Sequence, residues 1–398
     1  MSSEKFQLPT PETFDYKHVG GRFVGLCLTA LGSLFLALIL GLRSPHQFAF
    51  SWLFAGSFFF TILIGCLFWV VVHHAVDAAW SVGIRRQLEN LSSLLPLLVL
   101  LLLPILFVAP ILWNWMADSP ATNHELAEKS AYLNVNFFWL RTAIYMAFFS
   151  IIALVLRHNS LAQDLDGAAI HTIRNRRVAY LAVPVGAILL TFWSIDWLMG
   201  LNWKWNSTIW GIYIFAGCAL SSLCVIILFA NALRSAGYLK QVFTEQHNYA
   251  LGKLLLAFTL FWSWIAFVQY MLVWYANIPE ETVFYTLRTN ASWKVLGIIL
   301  VVGHFLVPFL LLLFRAPKAS AGFLGVIAGW ILAMHLLDIY TMVLPVLHPK
   351  GFHPAVLDFV SLIAIGSTLA AVFLKRLGDS PLWPSRDPRL GEAANYID

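Results

Sequence analysis

The stretch SAGFLGVIAGWILAMHLLDIYTMVLP, residues 320–345, decides how this chain reads. It stays apolar for longer than the roughly 20 residues a helix needs to cross a bilayer, yet its last third carries His335 and Asp338. A carboxylate at that depth costs about 2.5–3.5 kcal/mol on insertion scales, so it normally has a role. A second apolar run ends in the same manner, with Trp193-Ser-Ile-Asp196. The 9 Glu fall outside the apolar runs, so the acids within them are all Asp.

Working outward, ten such runs are present, at roughly 20–42, 50–78, 92–113, 133–156, 178–200, 208–233, 249–277, 291–314, 320–345 and 354–374. A length of 398 residues would suit two soluble domains, but 60% hydrophobic and 11% charged residues override that expectation. The fold class implied is an all-α integral membrane protein of ten transmembrane helices. The third run contains Pro96, Pro104 and Pro110, so a kink is expected there, with freed carbonyls seeking partners on neighbouring helices. The net charge of +5 is spread through short loops and forms no patch interleaved with exposed aromatics, which argues against nucleic acid. The 4 Cys lie within apolar runs without CxxC or CxxCH spacing, so iron–sulfur ligation, haem attachment and disulfides are not expected. The polar N-terminal segment has no signal-peptide core, so the first helix is expected to act as an uncleaved anchor.

Most of the 25 Lys and Arg fall at one side if the two ends of the chain share it. The positive-inside rule then places both termini in the cytoplasm. A weak repeat points to two bundles: Asn136-Phe-Phe-Trp139-Leu-Arg141 opens the fourth run, and Asn290-Ala-Ser-Trp293-Lys294 opens the eighth. The runs that carry Trp193-Ser-Ile-Asp196 and His335-Leu-Leu-Asp338 are the fifth and ninth, four helices apart, so the repeats share an orientation. The expected organisation is a tail (1–19), a flanking helix (20–42), a first four-helix bundle (50–200), a second (208–345), a flanking helix (354–374) and a C-terminal tail (375–398).

The candidate proton-carrying residues follow from depth and type. His73, His74 and Asp77 close the second run, and the spacings i,i+4 and i,i+3 let each His meet the Asp on a helix surface. Asp196, His335 and Asp338 lie in the half expected to face outward, with Arg141 and Lys294 as charge partners at the ends of adjacent runs. His304 is central, and Lys253 lies near the inner end of its run, where a lysine also snorkels to the interface. Asp358, one turn into the last run, reads as interfacial. This spread of depths suits a proton relay; packing roles for the same side chains are the competing reading. The four histidines in the runs form no stacked pairs of the kind a diheme bundle needs, so neither haem nor metal is expected. The 17 Trp read first as an aromatic belt.

The chain resembles the family of second quinone-binding-type membrane anchors of bacterial alternative complex III, which share the layout of polysulfide- and nitrite-reductase anchors. The resemblance rests on ten spans in a 1 + 4 + 4 + 1 layout, on Phe68-Trp69 leading to His73-His74-Ala-Val-Asp77-Ala-Ala-Trp80, and on Asp387-Pro-Arg-Leu390-Gly-Glu392. It implies an accessory component of a quinol:cytochrome c oxidoreductase in the bacterial cytoplasmic membrane. The implied partners are a homologous anchor, an iron–sulfur subunit, multihaem and monohaem cytochromes c and lipids, with a terminal oxidase as a further candidate. It also implies half-channels for protons, with His73, His74 and Asp77 on the inner half. No residue set in the sequence marks a quinone pocket. An ion-coupled secondary transporter and a purely structural membrane subunit are the alternatives; the three prolines of the third run lack counterparts in the seventh, which weighs against the transporter.

Overall fold

The computed structural model describes residues 9–15, 20–121, 123–290 and 292–396. Much of the expected N-terminal tail (1–19), and Ala291 of the repeat motif, lie outside the described residues. Helix α1 (Gly20–Arg43) is followed at once by α2 (Pro45–Ala75), with Pro45 in the first turn, where its missing N–H costs nothing. Then come α3 (Val82–Ser92), α4 (Leu95–Leu102), α5 (Ile105–Leu112), the short α6 (His124–Lys129), α7 (Val135–Asp166) and α8 (Ile170–Trp193). The second half holds α9 (Trp210–Ser235), α10 (Glu245–Ala276), α11 (Pro279–Arg288), α12 (Trp293–Leu300), α13 (Val307–Leu313), α14 (Arg315–Ala319), α15 (Ala321–Val343), α16 (Val356–Gly378) and α17 (Leu390–Ala394).

Among the described residues, nine helices are long and apolar enough to cross a membrane, α12 and α13 being continuous through a π turn. A tenth crossing, if counted, is a broken one: Ala79–Leu102 and Ile105–Leu112 meet at 74°. Pro104 sits at the break, where its ring and lost N–H prevent the helix from continuing. The carbonyl of Leu101, next to the break, accepts from the Trp52 indole of α2 at 2.8 Å. The expected kink and its compensation by a neighbour are therefore both present.

The third run differs from the sequence reading at its start. The helical chain begins well before residue 92, because the polar α3 is itself buried: Arg85, Arg86, Glu89 and Asn90 are almost wholly enclosed. Arg85 pairs with Asp387 at 2.7 Å and Arg86 with Asp164 at 2.6 Å, so Arg85 and Arg86 are not loop charges. Glu89 pairs with Arg86 at 3.4 Å and lies in the same helical rod as the apolar α4.

Helix α2 is the centre of the molecule and is enclosed along most of its length; it packs on α8, α9, α15 and α16. Gly65 lets α2 approach α9, since a Cβ there would overlap the Cys218 carbonyl and the Ser222 hydroxyl. Around it, α4 packs on α7 and α7 on α8, while α9, α10, α13, α12 and α15 form a second chain of neighbours. Helix α1 lies against α16, with Leu28, Leu31 and Phe35 exposed on its outer face. The two tails meet at one end: Leu382 donates its N–H to the Glu12 carbonyl at 2.8 Å, and the Leu239 N–H donates to the Glu12 carboxylate at 3.0 Å.

Candidate functional site

Asp196 and Asp338 occupy matching places in sequence but sit in different chemistry. Helix α8 runs into a π turn, Ser194–Leu198, which widens the coil and turns Asp196 inward. The Ser194 carbonyl accepts both the Met199 N–H that closes the turn and the Trp210 indole of α9, at 3.0 Å. Asp196 is buried and held by a two-pronged ion pair: Arg141 donates from Nε to Oδ2 at 2.9 Å and from Nη2 to Oδ1 at 2.8 Å. Tyr145 adds a hydroxyl at 3.3 Å, and the guanidinium stacks on Tyr132, 3.8 Å from the ring centre. The expected partnership of Arg141 with Asp196 is present, and it leaves that carboxylate paired and saturated.

Asp338 has no arginine or lysine within salt-bridge distance among the described residues. Tyr213 of α9 donates to Oδ1 at 2.6 Å and the Trp262 indole of α10 donates to Oδ2 at 3.2 Å. Lys294, expected as its charge partner, is exposed on α12 and makes no ion pair with it. The nearby Arg288 is committed elsewhere: it donates to the carbonyls of Phe284, Thr341 and Met342 at 2.6–2.8 Å, closing the C-terminal end of α15. A cavity of about 460 Å³ opens beside Asp338, lined by Tyr213, Trp262, Gln269, Tyr285, Trp293 and others. Beside the paired Asp196 the corresponding cavity is about 240 Å³.

Behind Asp338, polar groups continue inward. His304 is fully buried in a second π turn, Val301–Leu306, whose freed Gly303 carbonyl accepts from the Trp330 indole at 2.7 Å. Its ring lies 3.9 Å from that of Trp262 and 6.5 Å from that of His335. Neither His304 nitrogen has a partner among the described residues. His335 meets the Thr61 hydroxyl of α2 through Nε2 at 2.9 Å, and its Nδ1 is unpartnered among the described residues. The structure thus joins Asp338, His304 and His335 into one cluster and adds Tyr213, Trp262 and Thr61. Sequence reasoning missed these three; the one available signal was a Trp well inside a run rather than at its end.

The remaining candidates lie apart. His73 and His74 are buried near the end where the tails meet, with His73 wedged between Trp69 and Trp80. Neither reaches Asp77, contrary to the expectation from spacing. Helix α2 stops at Ala75, and Asp77 takes a left-handed conformation, φ 55°, outside the helix, so the helical spacing rule does not apply. Asp77 instead bridges Arg176 and Arg389, each at 2.7 Å. Partial burial opposes its ionisation, but those two guanidinium groups hold its carboxyl below the ordinary value. Thr61 and His73 are twelve positions apart on α2, a rise of about 18 Å. Ser222, which meets α2 at Gly65, and the adjacent Ser221 donate to carbonyls of their own helix. Lys253 projects from α10 with its ammonium 5.2 Å from the Tyr249 ring, apart from both groups. Asp358, in the first turn of α16, is buried: it accepts from Gln47 at 3.0 Å, from Tyr340 at 3.1 Å and from the Ala355 N–H at 2.9 Å, and it also bonds Ser51.

Among the described residues no three His, Cys, Asp or Glu side chains converge as a metal site would require. A comparison with protein-family models found no match, and a search of curated proteins found none.

Proposed function

We propose that this chain is a membrane anchor subunit of a quinol-oxidising respiratory complex and carries a protonation site at Asp338. One observation carries the reading: Asp338 is buried yet held only by the neutral donors Tyr213 and Trp262, whereas Asp196 is tied to Arg141. A carboxyl without an ion-pair partner at membrane depth can hold a proton and release it; one locked to a guanidinium has both oxygens already engaged. The adjoining cavity suits a flat ring bearing hydroxyls, because the Asp338 oxygens retain free lone pairs, aromatic rings form much of the wall, and Gln269, Arg288 and Lys294 add polar groups to it. A quinol headgroup has that chemistry.

His304, His335 and Thr61 would carry protons inward from Asp338, and His73 and His74 would serve the other half. The two halves are separated by the apolar middle of α2, as in half-channels. The proposed organisation keeps two four-helix groups, spans 2–5 and 6–9, with α2 shared between them, since it packs on α9 and α15 as well as on α8. The prevalence of Lys and Arg at the end bearing the tails supports a cytoplasmic placement of both termini.

Purification in mild detergent tests the assignment to a complex: multihaem cytochrome and iron–sulfur partners are expected to co-purify, and an isolated, monodisperse monomer would overturn it. In the intact complex, Asp338→Asn should lower proton release or uptake per quinol oxidised. Unchanged stoichiometry would reduce Asp338 to a packing residue.

A further inference from the structure

The short helix α14 closes the turn between α13 and α15 at the end of the molecule where the tails meet. It immediately follows the apolar Val307–Leu313 and the exposed Phe314. It presents two cations to one ring: the Arg315 guanidinium lies 5.3 Å, and the Lys318 ammonium 5.7 Å, from the centre of the Tyr249 ring on α10. Lys318 is 8% exposed, its stem pressed on Gly252, and its ammonium makes no hydrogen bond or ion pair with any described residue. Arg315 likewise has no acid partner among the described residues.

Cation–π contact does not neutralise charge, so cations gathered round one ring repel one another unless an anion joins them. The position selects the anion. On one side is the apolar surface of Phe314 and Leu313, 67% and 50% exposed, and on the other the polar end of the helices. That is the depth at which lipid chains give way to phosphate.

We propose that Arg315, Lys318 and the Tyr249 ring form a binding site for the phosphate of an anionic phospholipid, with its acyl chains lying along Phe314 and Leu313. Basic pockets between helix ends are suited to such headgroups, and each Lys or Arg near the surface strengthens binding about fivefold.

The test uses the full-length chain, delipidated in detergent and titrated with phosphatidylglycerol or phosphatidylcholine of the same acyl composition, with bound lipid counted by native mass spectrometry. The wild type should bind phosphatidylglycerol about tenfold or more tightly than phosphatidylcholine. The R315Q/K318Q variant should lose that preference while melting at the wild-type temperature in phosphatidylcholine nanodiscs, and K318R should retain it. If the double variant does not fold, the single R315Q, on an exposed side chain, carries the comparison and should lose about fivefold. Equal wild-type binding of the two lipids, or an undiminished preference in the variants, would overturn the site. Displacement of phosphatidylglycerol by millimolar inorganic phosphate would overturn the lipid assignment in favour of a free anion.

Discussion

Replacing Asp196 by asparagine should damage the protein far more than the same change at Asp338, although the two positions look alike in sequence. In Asp196→Asn the new side chain can present only one acceptor oxygen, and its amide would face either Arg141 or Tyr145 as a second donor. Arg141 would remain buried and charged without a counter-charge, keeping a bond to the one remaining oxygen, its bond to the Tyr132 carbonyl at 3.0 Å and its stacking on Tyr132 and Phe137. Leaving one member of a buried pair unmatched costs about 3–5 kcal/mol. Asp338→Asn leaves no orphaned charge. The amide oxygen still accepts from Tyr213, and the loss is confined to the Trp262 indole, about 1–3 kcal/mol for an unmatched buried donor. Equilibrium unfolding in mixed sodium dodecyl sulfate and non-ionic micelles would measure both. The double variant Arg141→Met with Asp196→Leu should recover most of the single-variant loss, because it removes both charges together. If D338N costs as much as D196N, or if the double variant is no better than D196N, the distinction between a structural and a titratable aspartate fails.

Two further outcomes follow from the packing and the tails. Gly65→Ala should destabilise by about 1–3 kcal/mol or more, because the new methyl overlaps the backbone of α9; Gly329→Ala, where a Cβ meets open space within α15, should be neutral or stabilising in the same assay. Burial raises the Asp387 carboxyl, but Arg85 and Arg389 outweigh it and hold it well below the ordinary range. A depressed carboxylate contributes stability that is fully present above its unfolded value, about 3.9, and is lost as pH falls toward the folded value. The hydrogen-exchange protection factors of residues 380–396, the intrinsic rate at each pH divided by the observed rate, should therefore be steady from pH 5 to 8 and fall below about pH 4; D387N should show low protection throughout, and a wild-type tail that loses protection between pH 6 and 7 would contradict the pairing.

Run length and Pro104 make the spans and the break in the third legible, because bilayer thickness fixes how many apolar residues a crossing needs. The pairing of Arg141 with Asp196 is legible because both sit at matching ends of adjacent helices. The candidate site is legible only in part. His304, His335 and Asp338 stand out as polar groups in apolar runs, but Tyr213, Trp262 and Thr61 look like ordinary membrane residues until α9, α10 and α2 are brought together. Asp77 misleads because a spacing rule assumes the helix continues, and α2 stops at Ala75. The burial of Asp358 and of α3 is not legible, because enclosure by distant segments, Gln47 and Asp387 among them, has no local signature.

By itself, the sequence determined a many-helix membrane protein and which side chains carry a cost at depth, since both follow from the bilayer's intolerance of bare polar groups. Only the tertiary structure decided what each costly side chain meets. A guanidinium beside Asp196 and two neutral donors beside Asp338 give the same residue type opposite chemistry, and that difference comes from neighbours far away along the chain.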